Sequence, residues 1–246
     1  GSALLIGVDM ATGEILWETP NPRHWKMSHS SVIPYTIHGR QMYLYCAIGG
    51  IVGVSAEKGS EGTVLFESTL WDRNVIAPSP IYVGDGKVFV TAGYGGGSMM
   101  LRVARDGDRF VVESLQSLGP SEGLAAEQQT PILHQGHLFS IMPKDAGPLR
   151  NQLVCVHPDD FSKVIWASGK TERFGLGPYM IADGKFYILS DDGLLTVSEV
   201  STQEYRPLTK AQILEGHDAW GPLALVQGRL LARDSRRMVC VDVSAR

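Results

Sequence analysis

Histidine, arginine, tryptophan and amide side chains gather in five segments of this chain: PRHWKMSHSS, LWDRNVIAPS, EGLAAEQQT, TERFGLG and EGHDAWG. They contribute His24, Trp25, His29, Arg73, Asn74, Gln128, Gln129, Arg173, Phe174, His217, Asp218 and Trp220, and segments elsewhere add Tyr94, Lys144, Arg150 and Arg233. These types hold ligands. Arginine and histidine grip polar or anionic groups, amides donate and accept hydrogen bonds, and tryptophan or tyrosine stacks on a sugar or anchors a protein partner. Signatures of bond-breaking chemistry are missing: the sequence has no HExxH, GxSxG or CxxC. His134 and His137 straddle Gly136 and point from different strands, so a solvated turn is expected rather than a metal pair. The glycine-rich GYGGGSMM, Gly93 to Met100, runs into a further strand, MMLRVA, and not into a helix N-terminus that would cradle a phosphate. Asp191-Asp192-Gly193 has the composition of a turn.

The elements that must position these residues repeat along the chain. IHGRQMYLY, VGDGKVFVT, LHQGHLFSI, IADGKFYIL and LVQGRLLAR each place a glycine (Gly39, Gly86, Gly136, Gly184, Gly228) between two short apolar runs, about 44 to 50 residues apart. A tight hairpin between right-twisted strands needs positive φ, which glycine reaches without a Cβ clash. Each hairpin is preceded by a proline at a strand start: Pro34, Pro80, Pro131, Pro178 and Pro222. Three strands follow most turns, as in YLYCAI, GIVGVSA and TVLFES, and helical periodicity is confined to short turns expected at Leu124-Ala125-Ala126 and Lys210-Ala211. The pattern predicts an all-β fold, a β-propeller of four-stranded antiparallel blades with about six blade equivalents. In such a ring the links between blades share one face with the loops joining second and third strands. That face is the channel mouth, and His29, Arg73, Asn74, Tyr94, Gln129, Arg173, His217, Asp218 and Trp220 are the ligand-binding residues expected there.

The opening stretch, VDMATGEILWET, resembles the tryptophan-docking repeat of the pyrroloquinoline-quinone-like propellers, with Asp9, Thr12, Gly13 and Trp17 in the motif positions. Phe66 stands in for the tryptophan in one later copy, Trp166 keeps it in another, and two copies have neither. The resemblance implies that the aromatic ring packs between adjacent blades with its indole N–H on a backbone acceptor. It implies a single propeller domain over residues 1–246, close to the BamB-like bacterial envelope propellers, periplasmic or otherwise extracytoplasmic, acting as a non-catalytic binding or scaffolding module. The quinoprotein dehydrogenase branch stacks its quinone on adjacent cysteines beside a calcium, and the chain has no Cys-Cys pair. No cofactor and no metal are therefore expected. An enzyme or carbohydrate-binding protein using the mouth is the alternative, with Trp25, Trp220 and Tyr94 as sugar platforms. ALLIGVD and EILWETP read as third and fourth strands, and the last blade has strands one to three. Either the two ends share a blade, or N-terminal blades of a seven- or eight-bladed parent are missing; Gly1-Ser2 reads as a cloning remnant.

Composition narrows the partners. A net charge of −4 over 246 residues offers no basic stripe for nucleic acid, and no apolar run is long enough for a transmembrane segment. The expected partner is a protein, or a small polar, anionic or carbohydrate ligand. The three cysteines, Cys46, Cys155 and Cys240, lie in apolar runs and are expected to be buried thiols.

Overall fold

The computed structural model describes residues 1–107, 109–216 and 218–244. The chain divides into two compact units, Gly1–Gly119 and Pro120–Arg246. In the first, β1 (Ala3–Val8) and β2 (Ile15–Pro20) form a two-stranded sheet. β3 (Ile33–Ile37), β4 (Arg40–Ala47), β5 (Gly50–Ser55) and β6 (Val64–Ser68) form a four-stranded antiparallel sheet in chain order. β7 (Ile81–Gly84), β8 (Lys87–Ala92), β9 (Gly97–Asp106) and β10 (Arg109–Leu118) form the next. In the second unit β11 (Ile132–His134), β12 (His137–Ile141), β13 (Leu153–His157) and β14 (Asp160–Ala167) pair in order. So do β15 (Tyr179–Ala182), β16 (Lys185–Leu189), β17 (Leu194–Glu199) and β18 (Arg206–Gln212). β19 (Ala224–Val226), β20 (Arg229–Arg233) and β21 (Met238–Asp242) complete it with three strands.

Five of the six sheets begin as the glycine spacing predicts, with a tight hairpin, and the turn chemistry goes further than glycine. The residue before each hairpin glycine also has positive φ: His38, Asp85, Gln135, Asp183 and Gln227 all lie near +50°, followed by glycines near +70°. Two consecutive left-handed residues make a type I′ turn, whose twist matches the strands it joins. The expected helical turns are not formed: Leu124–Ala126 is a buried link without regular structure, and Lys210-Ala211 lies in β18. A single 3-10 turn, Gly147–Leu149, is the one helical element among the described residues. No helix among the described residues is long and apolar enough to cross a membrane.

Apolar alternation explains why the inner strands read as unbroken hydrophobic runs. Successive side chains of a strand point to opposite faces, and here both faces are covered. From β4, Met42, Leu44 and Cys46 pack with Val88, Val90 and Leu101 of the β7–β10 sheet, whereas Tyr45 and Ala47 pack with Leu4 and Leu5 of β1. In β16 the division recurs: Phe186 and Ile188 pack with Phe139 and Cys155, whereas Tyr187 and Leu189 pack with Leu230 and Ala232. β4 and β16 thus each serve two neighbouring cores.

The acidic–Thr–Gly turn and its aromatic partner act as one device. Asp9 Oδ1 accepts the backbone N–H groups of Ala11 and Thr12 at 2.9 and 2.8 Å, and Gly13 closes the turn at φ +76°. The register then sets Trp17 opposite Gly7, and a Cβ on Gly7 would sit 2.2 Å from the indole. Phe66 lies over Gly53 in the same way, and Trp166 faces Cys155. Trp17 stacks on Tyr43 of the next sheet, and Trp166 donates its indole N–H to the Ser201 carbonyl at 3.0 Å. Cys240 occupies the corresponding place in β21, within the same small–Val–polar pattern, in a sheet that has three strands among the described residues. Cys46 and Cys155 are buried as expected; Cys240 is exposed, against expectation, because no fourth strand among the described residues lies beside β21.

Candidate functional site

In the first unit the link from β6 to β7 meets the β8–β9 loop. The two enclose a cavity of about 290 Å³ lined by Asp72, Arg73, Asn74, Val75 and Gly93 to Gly96, which includes Tyr94. Arg73 organises it: Nε donates to the Gly96 carbonyl at 2.9 Å and Nη1 to that of Asp72 at 2.8 Å, while the guanidinium lies 4.2 Å from the ring centre of Trp71. Trp71 is fully buried, so the cation sits against a desolvated π-face, where such contacts are strongest. Burial lowers the Arg73 pKa from its ordinary value and the neighbouring Asp72 opposes the shift. Tyr94 is held at φ +55° and is 62% exposed, presenting its ring at the rim.

In the second unit three segments converge. The β14–β15 link brings Arg173, the β16–β17 loop Asp191 and Asp192, and the β18–β19 link Asp218 and Trp220, around a cavity of about 260 Å³. Arg173 grips Asp191 with both terminal nitrogens, Nη2 to Oδ2 at 3.2 Å, and this hydrogen bonding raises the arginine pKa. Asp191 also accepts the Leu176 N–H, and its backbone ties to Phe174 and Ala219, so one residue fixes both links. Gln129 donates to the Trp220 carbonyl at 3.3 Å. Trp220 is 41% exposed beside three carboxylates. Since Arg173 offsets only one of them, the site is acidic.

Of the residues expected from sequence, Arg73, Asn74 and Tyr94 meet in the first unit, and Gln129, Arg173, Asp218 and Trp220 in the second. His29 is exposed and tied by its backbone N–H to Ile76, outside the first cavity. His217 lies outside the described residues. Phe174 is not a mouth residue: it is 1% exposed and packs in the core between the β11–β14 and β15–β18 sheets. Asp191 and Asp192 were legible only as turn formers, and Glu127, buried in the third link, carries no sequence signal. His134 and His137 face each other across their hairpin, and His137 packs edge-on against His157 with centroids 5.4 Å apart.

Among the described residues no three His, Cys, Asp or Glu side chains come together in an arrangement that would hold a metal. Cys46 and Cys155 are each buried within an apolar core, where burial pushes the Cys155 thiol up to about 12. These residues do not fit a quinone stacked on adjacent cysteines beside a calcium.

A succession of antiparallel sheets in chain order, four of them four-stranded, with links between sheets that contribute to loop sites, is the architecture of a β-propeller. Solved structures agree. The chain is similar to BamB from Moraxella catarrhalis, with a TM-score of 0.59 and 12% identity over 96% of this chain and 65% of that one. It is similar to the Cps50 (Swd1) β-propeller domain of Myceliophteria thermophila, with a TM-score of 0.59 and 10% identity over 97% of this chain and 76% of that one. The computationally designed Ika8 protein matches at 0.52 and 10% identity, over 99% and 78%. At these identities the likeness defines the fold, and the chain spans 65% of the length of BamB. No protein-family model matches the sequence, and a search of the curated proteins finds no match.

Proposed function

We propose that this chain is a non-catalytic binding module of the pyrroloquinoline-quinone-like propeller type, its two units parts of one propeller domain, working in the bacterial cell envelope and engaging a protein through its inter-sheet loops. The observation that carries the reading is the construction of the two loop sites. In each, polar side chains are braced by backbone carbonyls or by one another around an exposed aromatic ring, Tyr94 or Trp220. Such bracing positions groups for recognition, and exposed aromatics with an adjacent arginine are the residues that anchor protein partners. The Asp9–Thr12–Gly13 turn with Trp17 supports the family, and the likeness to BamB supports the envelope.

The test is site-specific photo-cross-linking in bacteria expressing the envelope-targeted chain, with the reactive residue at Asn74 or Trp220 and, at the hairpin ends of the same sheets, at Lys87 or Lys185. The expected result is a discrete protein adduct from the loop positions and none from the hairpin positions. Adducts confined to the hairpin positions, or none at all, would sink the reading.

One observation favours a carbohydrate as a second reading: Trp220 stands beside Asp192 and Asp218, an aromatic platform with carboxylate acceptors for hydroxyl groups. In the second unit this acidity favours a hydroxyl-rich or cationic ligand over the anionic one that the sequence suggests. Titration with malto- and chito-oligosaccharides, followed by tryptophan fluorescence, should show a saturable change that Trp220→Ala removes. A flat response to both sugars leaves the protein reading alone.

A further inference from the structure

The link entering β11 holds a side chain that the loop sites do not use. Its first residues are pinned: the Leu124 N–H donates to the Phe161 carbonyl at 2.8 Å, and the Ser140 hydroxyl donates to the Ala125 carbonyl at 3.0 Å. Glu127 follows with 2% of its side chain exposed. Its Oε1 lies 3.5 Å from Lys144 Nζ, on a lysine whose side chain is 64% exposed. Its Oε2 is buried without a hydrogen-bond partner, and so is Oε1 of Gln128. Both residues line a cavity of about 10 Å³, walled by Ile141, Met142, Pro143 and the turn from Gly175 to Gly177. That is room for one water-sized centre.

Two unsatisfied oxygens, one belonging to a carboxylate, define the occupant. It must be attractive to both and no larger than a water molecule. A water would satisfy the two acceptors yet leave the charge to a long, solvent-screened contact with Lys144, and a buried charge is costly unless it is closely paired. A small cation satisfies both requirements. Carboxylate and amide oxygens are hard ligands suited to such ions. One carboxylate with an ammonium already beside it carries too little negative charge for a divalent ion, which gathers several carboxylates. We propose that the Glu127–Gln128 notch binds a small monovalent cation, an alkali-metal ion or ammonium.

The experiment compares melting temperatures of the chain in sodium, potassium and ammonium chloride with those in choline chloride at equal ionic strength. Screening is then constant and only ion identity varies. At least one of the three ions should raise the melting temperature by about 2–4 °C over choline and saturate with concentration, and the responding ion identifies the occupant. Glu127→Gln should melt at one temperature in all four salts. Lys144→Met removes the competing ammonium, so half of the rise should be reached at a several-fold lower ion concentration. Equal melting of the parent in all four salts, as a bridging water alone would give, overturns the proposal. So does an ion-specific rise that survives in Glu127→Gln, or a Lys144→Met variant that does not need less ion.

Discussion

Two glycines separate the conformational demands of the turns from the steric demands of the sites. Gly184 has φ +69° with nothing within 4 Å of a would-be Cβ, so alanine there meets only backbone strain. Gly184→Ala should cost about 1–2 kcal/mol. At Gly177 a Cβ would lie 1.8 Å from the Leu189 carbonyl oxygen, backbone at the end of β16. Gly177→Ala should therefore cost about 3 kcal/mol or more, the range of overpacking and displaced backbone. Urea denaturation of the two variants checks the order, and equal losses would contradict it. A pH effect belongs to Asp234. Its Oδ1 accepts the N–H groups of Arg236 and Arg237, both at 2.7 Å, and its Oδ2 that of Gly216 at 3.1 Å; these bonds hold its pKa below the ordinary carboxylate value. A carboxylate depressed by folding stabilises fully above its unfolded pKa of about 4 and loses that contribution as pH falls through the folded value. The stability difference between the parent and Asp234→Asn should be largest near neutrality and shrink below about pH 4. A difference constant from neutral to strongly acidic pH would show that the carboxylate does not act through its charge.

At the scale of the sheet, the fourth-strand aromatic is what locks one sheet to the next. Trp166 is 8% exposed and packs with Phe139 and Tyr205 while its indole N–H reaches the Ser201 carbonyl. Trp166→Phe keeps the ring and loses the hydrogen bond, a loss of about 1 kcal/mol. Trp166→Ala also opens a cavity, about 3–5 kcal/mol. Equilibrium unfolding of both variants measures the split, and a phenylalanine variant as unstable as the alanine one would assign the stability to the hydrogen bond. The elements were legible because their signals are local: a glycine every blade length, a proline before the first strand, Asp9 and Thr12 capping one turn. The left-handed residue before each glycine was not, since His38, Gln135 and Gln227 are not typical turn formers. The acidic site was only half legible. Arg173 and Trp220 stand out by type, whereas Asp191 and Asp192 look like any turn until the fold carries them to the same cavity. Glu127 was invisible, because the strands that bury it are distant in sequence.

Within each unit, the alternation of inner-strand side chains between two cores makes the β3–β6 sheet and the β15–β18 sheet each the shared wall of its neighbours, which is why their inner strands admit so few polar residues. In the β19–β21 sheet, which has three strands among the described residues, Cys240 is exposed. The chain therefore carries a recorder of the redox poise it has lived in. Of its three thiols two are shut away in apolar cores and one is exposed. A lone accessible thiol stays reduced among glutathione and thioredoxin but becomes capped or joined to another in an oxidising compartment. Protein taken from cells quenched with acid and alkylated with a maleimide-linked polymer should, if exported, show no shifted band at Cys240 until a reductant is added. A reductant-sensitive dimer on a non-reducing gel, abolished by Cys240→Ser, should accompany it. Full alkylation of Cys240 without reductant would place the protein in a reducing compartment and remove the envelope from its description.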